Sequence, residues 1–212
     1  MDTMLEKGNH QTEESQLTDA YPPRIAAVLI LQFQRAGESY IVLTKRTENV
    51  STHKGQISLP GGNREPQDAT LLETALRETQ EEIGIARERL KVIGQLDGVY
   101  TAGGNFSISP FIAQLDGPPS FSPYPREVAE VIELPLSIFD EPCLFWEEER
   151  IGPGDEPRRR VFFFRYAGHV IWGATARILK DYLVWADRLD PWEKGATGGS
   201  LMECREWLRR VE

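Results

Sequence analysis

Long apolar runs and a basic surface are both missing from this chain of 212 residues. No apolar run approaches the roughly 20 residues of a membrane span, so we expect no membrane association. The polar and acidic N-terminus lacks the apolar segment that a secretory signal contains. A formal net charge of −9 at pH 7 argues against a nucleic acid polymer held on a broad basic surface. A small anionic substrate stays open, because bound cations reverse the local field at a carboxylate-rich site.

Cysteine is also scarce, and Cys143 and Cys204 do not have the spacing of metal ligands. Two reduced thiols are favoured over one disulfide, which predicts a cytoplasmic protein. Hydrophobic residues make up 40% of the chain and charged residues 27%, as in ordinary globular proteins. We expect a flexible tail over residues 1–20, one domain over 21–190 and a C-terminal helical extension over 191–212. Three roles are open for this extension: it caps the site, it builds a homodimer, or it does neither.

Hydrophobic periodicity divides the expected domain into strands and helices. Apolar residues at helical spacing predict a helix over 69–83, which Gly84 ends as a left-handed cap, and another over 174–189. Short apolar runs between turn formers predict strands at 25–31, 40–44, 57–59, 92–99, 107–115, 144–150 and 159–166. We expect the aromatic run 162–164 and Trp172 in the core. Interleaved helices and mostly antiparallel strand pairs predict an α+β fold, arranged as an α/β/α sandwich.

The most informative segment is a glycine-rich turn that runs into the first predicted helix. Glu78, Glu81 and Glu82 fall within five residues and share a helix face that differs from the apolar face. Most glutamate clusters are solvated surfaces. Here no lysine at i+4 neutralises the carboxylates, and the preceding Gly61 and Gly62 let the backbone approach a ligand. The segment therefore favours a divalent metal and a phosphate-bearing substrate.

The order of residues in this segment resembles the Nudix box. That signature is a glycine, five residues, a glutamate, seven residues and then R-E-U-x-E-E-x-G-U, where U is aliphatic. This chain has Gly62, five residues, Asp68, eight residues and then R-E-T-Q-E-E-I-G-I at 77–85. Asp68 thus replaces glutamate, one extra residue precedes Arg77, and Thr79 replaces an aliphatic residue, but the R-E-x-x-E-E-x-G core is complete. The resemblance implies a Nudix-like fold with a mixed sheet between helices.

Two more segments resemble the coenzyme A pyrophosphatase branch of that family. They are residues 43–62, which include L-T-K-R and L-P-G-G, and residues 171–176, and the likeness spans roughly 24–183. This chain has Ser51 where the branch motif usually has an arginine. The resemblance implies hydrolysis of a pyrophosphate bond, with coenzyme A as the leading substrate. Its products would be adenosine 3',5'-bisphosphate and 4'-phosphopantetheine.

The resemblance also implies a metal site. Glu78 and Glu82 are the expected ligands of Mg²⁺ or Mn²⁺, with Glu81 sharing or bridging. Gly61 or Gly62 would offer a backbone carbonyl to the metal. The metals would neutralise the pyrophosphate oxygens, lower the pKa of a bound water and stabilise the leaving phosphate.

The remaining candidate residues surround this metal site. Arg77 is expected to orient the glutamates through a bidentate bond. The general base is either a box glutamate or a carboxylate from a distant loop, for which Glu127 and Glu130 are candidates. Four residues are candidates for substrate binding: Arg46, His53, Gly61 and Gly62. The alternatives are a surface role for Arg46 and a bond to the local backbone for His53.

Two other functions stay open at this point. The same chemistry could act on another nucleotide-type small molecule, namely ADP-ribose, a dinucleotide or an oxidised nucleotide, and Ser51 keeps that alternative in view. A non-catalytic nucleotide sensor would predict an eroded box, whereas Arg77, Glu78, Glu81 and Glu82 are all present.

Overall fold

The computed structural model describes residues 22–48, 54–101, 105–141, 144–151 and 158–188. The expected tail, the expected C-terminal extension and both cysteines lie outside these ranges. The strands are β1 (Arg24–Arg35), β2 (Glu38–Arg46), β3 (Ile57–Ser58), β4 (Gly61–Asn63), β5 (Leu90–Gln95), β6 (Val99–Tyr100), β7 (Phe106–Leu115), β8 (Val128–Pro135), β9 (Phe145–Arg150), β10 (Arg159–Tyr166) and β11 (His169–Trp172). The α-helices are α1 (Leu71–Ile83) and α2 (Ala174–Trp185), and short 3₁₀ helices cover Arg87–Arg89 and Leu136–Asp140.

An eight-stranded mixed sheet forms the centre of the domain, in the order β3-β2-β1-β7-β5. In addition, β4 pairs with β1, β6 with β7 and β8 with β2. β1 and β7 run parallel from Arg24 beside Phe106 to Gln32 beside Gln114, and the other pairs in this sheet are antiparallel. β1 is buried on both faces, which explains its unbroken apolar run.

Two cores cover the two faces of this sheet. Leu29 and Leu31 of β1 point to one face and pack with Ala75 and Ile83 of α1. Ile30 points to the other face, into a core shared with α2 and a three-stranded sheet of order β11-β10-β9. The mixed sheet therefore lies between helices, and the predicted α+β sandwich is confirmed. Among the described helices, neither is long and apolar enough to cross a membrane.

Local sequence signals explain where α1 begins and ends. The hydroxyl of Thr70 accepts a hydrogen bond from the Glu73 backbone at 3.2 Å, and the Glu73 carboxylate accepts one from Ala69 at 2.8 Å. The first bond is the N-cap half of a capping box, and the second reaches the amide one residue before the N-cap Thr70. Gly84 has a φ of 73° and donates to the carbonyl of Gln80 at 2.9 Å, as the expected left-handed cap does.

The structure also differs from several sequence predictions. The segment predicted as one strand at 92–99 is divided into β5 and β6, and α2 ends at Trp185, before residue 189. β11 was not predicted, because it has only four residues, between a turn and Gly173, and so short a segment shows no clear periodicity. The prediction that Trp172 is a core residue is wrong. Its side chain lies on the outer face of the small sheet, 44% exposed, and stacks on Phe163 with ring centroids 6.1 Å apart.

Candidate active site

A cleft of about 510 Å³ lies where β4, α1, the end of β2 and the loop before β8 meet. It gathers residues that are far apart in the chain. The lining residues are Arg46, Gly61, Gly62, Asn63, Glu65, Arg77, Glu78, Glu81, Glu82, Tyr124 and Glu127. The candidate site residues within the described ranges, except Glu130, therefore share one cleft. His53, together with Ser51, lies outside the described residues.

The two glycines of β4 let the backbone pass close to the helix. Gly61 has a φ of 150°, and a Cβ atom there would lie 2.3 Å from the carbonyl oxygen of Ala27. A Cβ atom on Gly62 would lie 2.5 Å from Cδ of Glu78. A side chain at Gly61 would collide with the backbone of β1, so the close approach requires glycine there, whereas a side chain at Gly62 would displace the Glu78 carboxylate.

Arg77 holds the acidic residues in place, although its bidentate bond is not to the glutamates. Its Nε and Nη2 donate to the two oxygens of Asp68 at 2.9 and 3.0 Å. Its Nη1 contacts Glu78 Oε1 at 3.0 Å and Glu81 Oε2 at 3.1 Å. Nη2 also donates to the carbonyl of Asn63 at 3.1 Å. One guanidinium thus links β4, the turn before α1 and two box glutamates.

Asp68 is the buried anchor of this arrangement. It also accepts hydrogen bonds from the Glu65 backbone and from the Thr74 hydroxyl, both at 2.9 Å. The hydrogen bonds from Arg77, assisted by those from Glu65 and Thr74, hold the pKa of Asp68 well below its usual range. Asp68 therefore stays ionised and keeps Arg77 oriented.

Glu82 is the most buried carboxylate of the cleft, with 3% of its side chain exposed. The helical wheel placed it away from the core, whereas it lies between α1 and the sheet. Its Oε2 accepts a hydrogen bond from the Gly61 amide at 3.2 Å, and its Oε1 lies 3.7 Å from Nη1 of Arg46. Burial, helped by the charges of Glu78 and Glu127, raises the pKa of Glu82 to about 8, although Gly61 and Arg46 oppose the shift.

The other box glutamates become more exposed toward the mouth of the cleft. The Glu78 side chain is 15% exposed, and burial raises its pKa even though Arg77 opposes the shift. The Glu81 side chain is 60% exposed. The carboxylates thus extend from a buried floor at Glu82 to an open rim.

Only one of the two distant candidate bases belongs to this cleft. Glu127 lines it, and its charge acts on both Glu78 and Glu82. Glu130 instead pairs with His169 of β11 at 3.3 Å and is absent from the lining. Tyr124, Asn63 and Glu65 also line the cleft and were not predicted. Tyr124 and Glu127 lie in the loop between β7 and β8, but no sequence periodicity indicates that this loop reaches α1.

The donor set fits a hard divalent cation. Five carboxylates line one cleft, and burial raises the pKa of two of them, so a cation there would remove an electrostatic cost. Across the described ranges, no three acidic, histidine or cysteine side chains already stand as a complete ligand set. Arg77 instead holds Glu78 and Glu81.

The raised pKa of Glu82 predicts how the stability of the metal-free protein depends on pH. The ordinary carboxyl pKa is 4.5, and that of folded Glu82 is about 8. Between these values the folded state holds a proton that the unfolded state has released, so raising the pH lowers the free energy of unfolding. We expect this decline in EDTA, and a smaller one in Mn²⁺, because a cation that binds the folded, ionised site stabilises it.

Urea denaturation at intervals from pH 5 to pH 9 would measure this effect. Glu130→Gln is the matched control, since Glu130 is an acidic residue outside the cleft and its removal should keep the decline. A free energy of unfolding that stays constant or rises across this range in EDTA would contradict the prediction.

Comparison with known proteins agrees with the fold and with the resemblance of the chain to the Nudix family. A model of the NUDIX domain matches residues 22–139. The chain is 35% identical over 141 residues to an uncharacterized Nudix hydrolase, NudL, of Photorhabdus laumondii, covering 66% of this chain and 73% of that protein. It is 36% identical over 166 residues to Nudix hydrolase 15, mitochondrial, of Arabidopsis thaliana, covering 76% of this chain and 58% of that protein.

The fold is also found in a solved structure. The crystal structure of a MutT/nudix family protein from Enterococcus faecalis superposes with a TM-score of 0.53, covering 86% of this chain and 69% of that chain at 16% identity. At that identity the likeness shows the fold alone, and the family rests on the domain match and the sequence relatives. The chain therefore belongs to the Nudix hydrolases, enzymes that cleave pyrophosphate bonds in nucleoside diphosphate derivatives and generally use divalent metals such as Mg²⁺ or Mn²⁺.

Proposed function

We propose that this Nudix hydrolase cleaves the pyrophosphate bond of coenzyme A or its derivatives, releasing adenosine 3',5'-bisphosphate and 4'-phosphopantetheine. The observation that carries the proposal is the position of Arg46. This residue belongs to the upstream segment that resembles the coenzyme A branch, and it lies in the cleft with Nη1 3.7 Å from Glu82. The segment and the box thus contribute to one site.

The box residues would hold Mg²⁺ or Mn²⁺. Glu78 and Glu82 are the proposed ligands, with Glu81 sharing or bridging and Gly62 offering its carbonyl. When bound, such a cation neutralises the pyrophosphate oxygens and increases the acidity of the attacking water. Arg77 acts indirectly, because it is bonded to Asp68 and positions Glu78 and Glu81.

Arg46 and Glu127 would act on the substrate and on water. Among the residues that the structure describes, none is hydrogen-bonded to the buried Nε of Arg46, so this donor could serve a phosphate oxygen. Glu127 would accept the proton of the attacking water while the oxygen of that water bonds to phosphorus. The bond from phosphorus to the bridging oxygen then breaks, and the leaving phosphate departs with the electron pair of that bond.

A second substrate class has specific support. Ser51 replaces the arginine of the coenzyme A motif, so an ionic contact expected in that branch is not available from this position. Cleavage of ADP-ribose or a dinucleotide by the same residues is the alternative. A cytoplasmic location and a homodimer stay predictions from the sequence.

A substrate panel tests the proposal. Purified protein with Mg²⁺ or Mn²⁺ would be given coenzyme A, ADP-ribose, NADH and diadenosine polyphosphates, and the products would be separated by chromatography. We expect the highest kcat/KM for coenzyme A, with adenosine 3',5'-bisphosphate as a product and no turnover in EDTA. A higher kcat/KM for ADP-ribose would favour the alternative substrate. Hydrolysis of none of these compounds would contradict both.

A further inference from the structure

Glu127 lies far from the box in the chain, so contacts outside the box must keep it in the cleft. Thr47 directly follows β2 and is 9% exposed. Its hydroxyl donates to the carbonyl of Arg126, and its amide donates to the carbonyl of Glu127, both at 2.9 Å. Two consecutive carbonyls of the loop are thus fixed by one residue.

The other side of the same loop is fixed to α1. The amides of Ser122 and Tyr124 donate at 2.9 Å to the carbonyls of Ile83 and Glu82, respectively. The Tyr124 carbonyl accepts from Glu127 at 3.1 Å. The backbone around Glu127 therefore spans from the end of the box helix to the end of β2.

The side chain of Thr47 bonds to the loop where regular strand pairing is interrupted. In the β2–β8 ladder, Lys45 lies beside Glu130, but Arg46 lies beside Val128, so Ala129 is an extra residue. Such bulges change the direction of nearby side chains and weaken the local ladder. Beyond the bulge, the Thr47 hydroxyl adds a bond that strand pairing alone would not provide.

We propose that Thr47 is a positioning residue for catalysis. Its hydroxyl fixes the Arg126 carbonyl and thereby keeps the Glu127 carboxylate in the cleft. This inference rests on the proposed function, in which Glu127 accepts the proton of the attacking water. Thr47 itself is absent from the cleft lining, so its effect would be on the rate of the chemical step and not on substrate binding.

Three single variants test this role. Thr47→Val removes the hydroxyl and keeps the shape, and we expect kcat to fall about tenfold with KM within twofold, since small misplacements of a catalytic group lower the rate. Thr47→Ser restores the hydroxyl and should restore most of kcat. Thr44→Val is the matched control, because Thr44 is a fully buried threonine of β2 whose hydroxyl contacts Ser58 and not the loop. Its kcat should stay near the wild-type value.

A double-mutant cycle with Glu127→Gln separates positioning from general structural damage. If Thr47 acts through Glu127, Thr47→Val should lower kcat by less than twofold when Glu127 is already glutamine. The same tenfold loss in both backgrounds, or a wild-type kcat for Thr47→Val, would overturn the inference. If Thr47→Val does not fold, as shown by its thermal unfolding, Thr47→Ala takes its place with the same outcomes. A wild-type protein without metal-dependent hydrolysis would overturn the proposed function along with it.

Discussion

Replacing Glu82 by glutamine is expected to lower kcat by about 10³-fold while making the metal-free protein more stable at alkaline pH. Activity falls because the variant loses the most buried carboxylate among the proposed metal ligands. Stability rises because glutamine needs no proton to stay neutral. Folded wild-type Glu82 must instead hold a proton between pH 4.5 and about 8, and it must ionise in a buried position above about pH 8. Loss of function and gain of stability in one variant would identify a site held under electrostatic strain until a cation binds.

Two measurements check this prediction. Steady-state hydrolysis with Mg²⁺ gives kcat, and urea denaturation in EDTA gives the free energy of unfolding as a function of pH. The stability advantage of Glu82→Gln should be absent near pH 4 and should grow up to about pH 8. Glu130→Gln is the control, since its carboxylate pairs with His169 outside the cleft, and both its activity and its pH profile should stay close to wild type. Near-normal turnover by Glu82→Gln would rule out its role as a metal ligand.

Local patterns were enough to predict the elements that carry the box. The apolar run of β1 and the helical spacing of α1 reflect the faces that these elements bury, and Gly84 marks the helix end because few other residues adopt its backbone angles. The pairing of β1 with β7 is different. It joins residues more than 70 positions apart, such as Ala26 and Ile108, and no local pattern specifies such a partner.

The same limit applies to the site. Glu78, Glu81 and Glu82 were found because one helix places them together, whereas Glu127 was only one of two candidates, because a tertiary contact decides between it and Glu130. The burial of Glu82 could not be predicted from a helical wheel, since the wheel gives the side-chain direction and not what packs over it. The hydrogen bond from the Gly61 amide to the Glu82 carboxylate shows that β4 packs over this side chain.

All three departures from the Nudix box are accommodated in the structure. Thr79 is fully buried where an aliphatic residue is usual, and its hydroxyl donates to the Ala75 carbonyl at 2.7 Å, so no polar group is left unpaired. Asp68 has a shorter side chain than glutamate, and one extra residue separates it from Arg77. Asp68 and Arg77 still form a bidentate contact. The shorter side chain and the extra residue are therefore both compatible with an ion pair that joins the turn before α1 to the helix.

Asp68→Asn is therefore expected to destabilise the protein by about 3 kcal/mol, as removal of one partner from a buried ion pair typically does. The side chain keeps its shape, but its amide group cannot accept from all of the present donors, and Arg77 loses the carboxylate that it binds through two hydrogen bonds. We also expect kcat to fall about 10- to 100-fold, because Arg77 then no longer fixes Glu78 and Glu81. The stabilisation by Asp68 is present above its unfolded pKa of about 3.8 and is lost as the pH falls through its lower folded value.

Asp181→Asn provides the matched control. Asp181 pairs with Arg177 at 3.0 Å on α2, where the two side chains are 32% and 53% exposed, so its loss should cost less than about 0.5 kcal/mol. Urea denaturation at pH 7 would compare the two variants, and turnover would be measured where both are folded. Equal losses of unfolding free energy in the two variants would show that burial of the Asp68–Arg77 ion pair adds nothing to the stability of the fold. A stability loss at Asp68→Asn with unchanged kcat would show that Arg77 supports the turn without positioning the box glutamates.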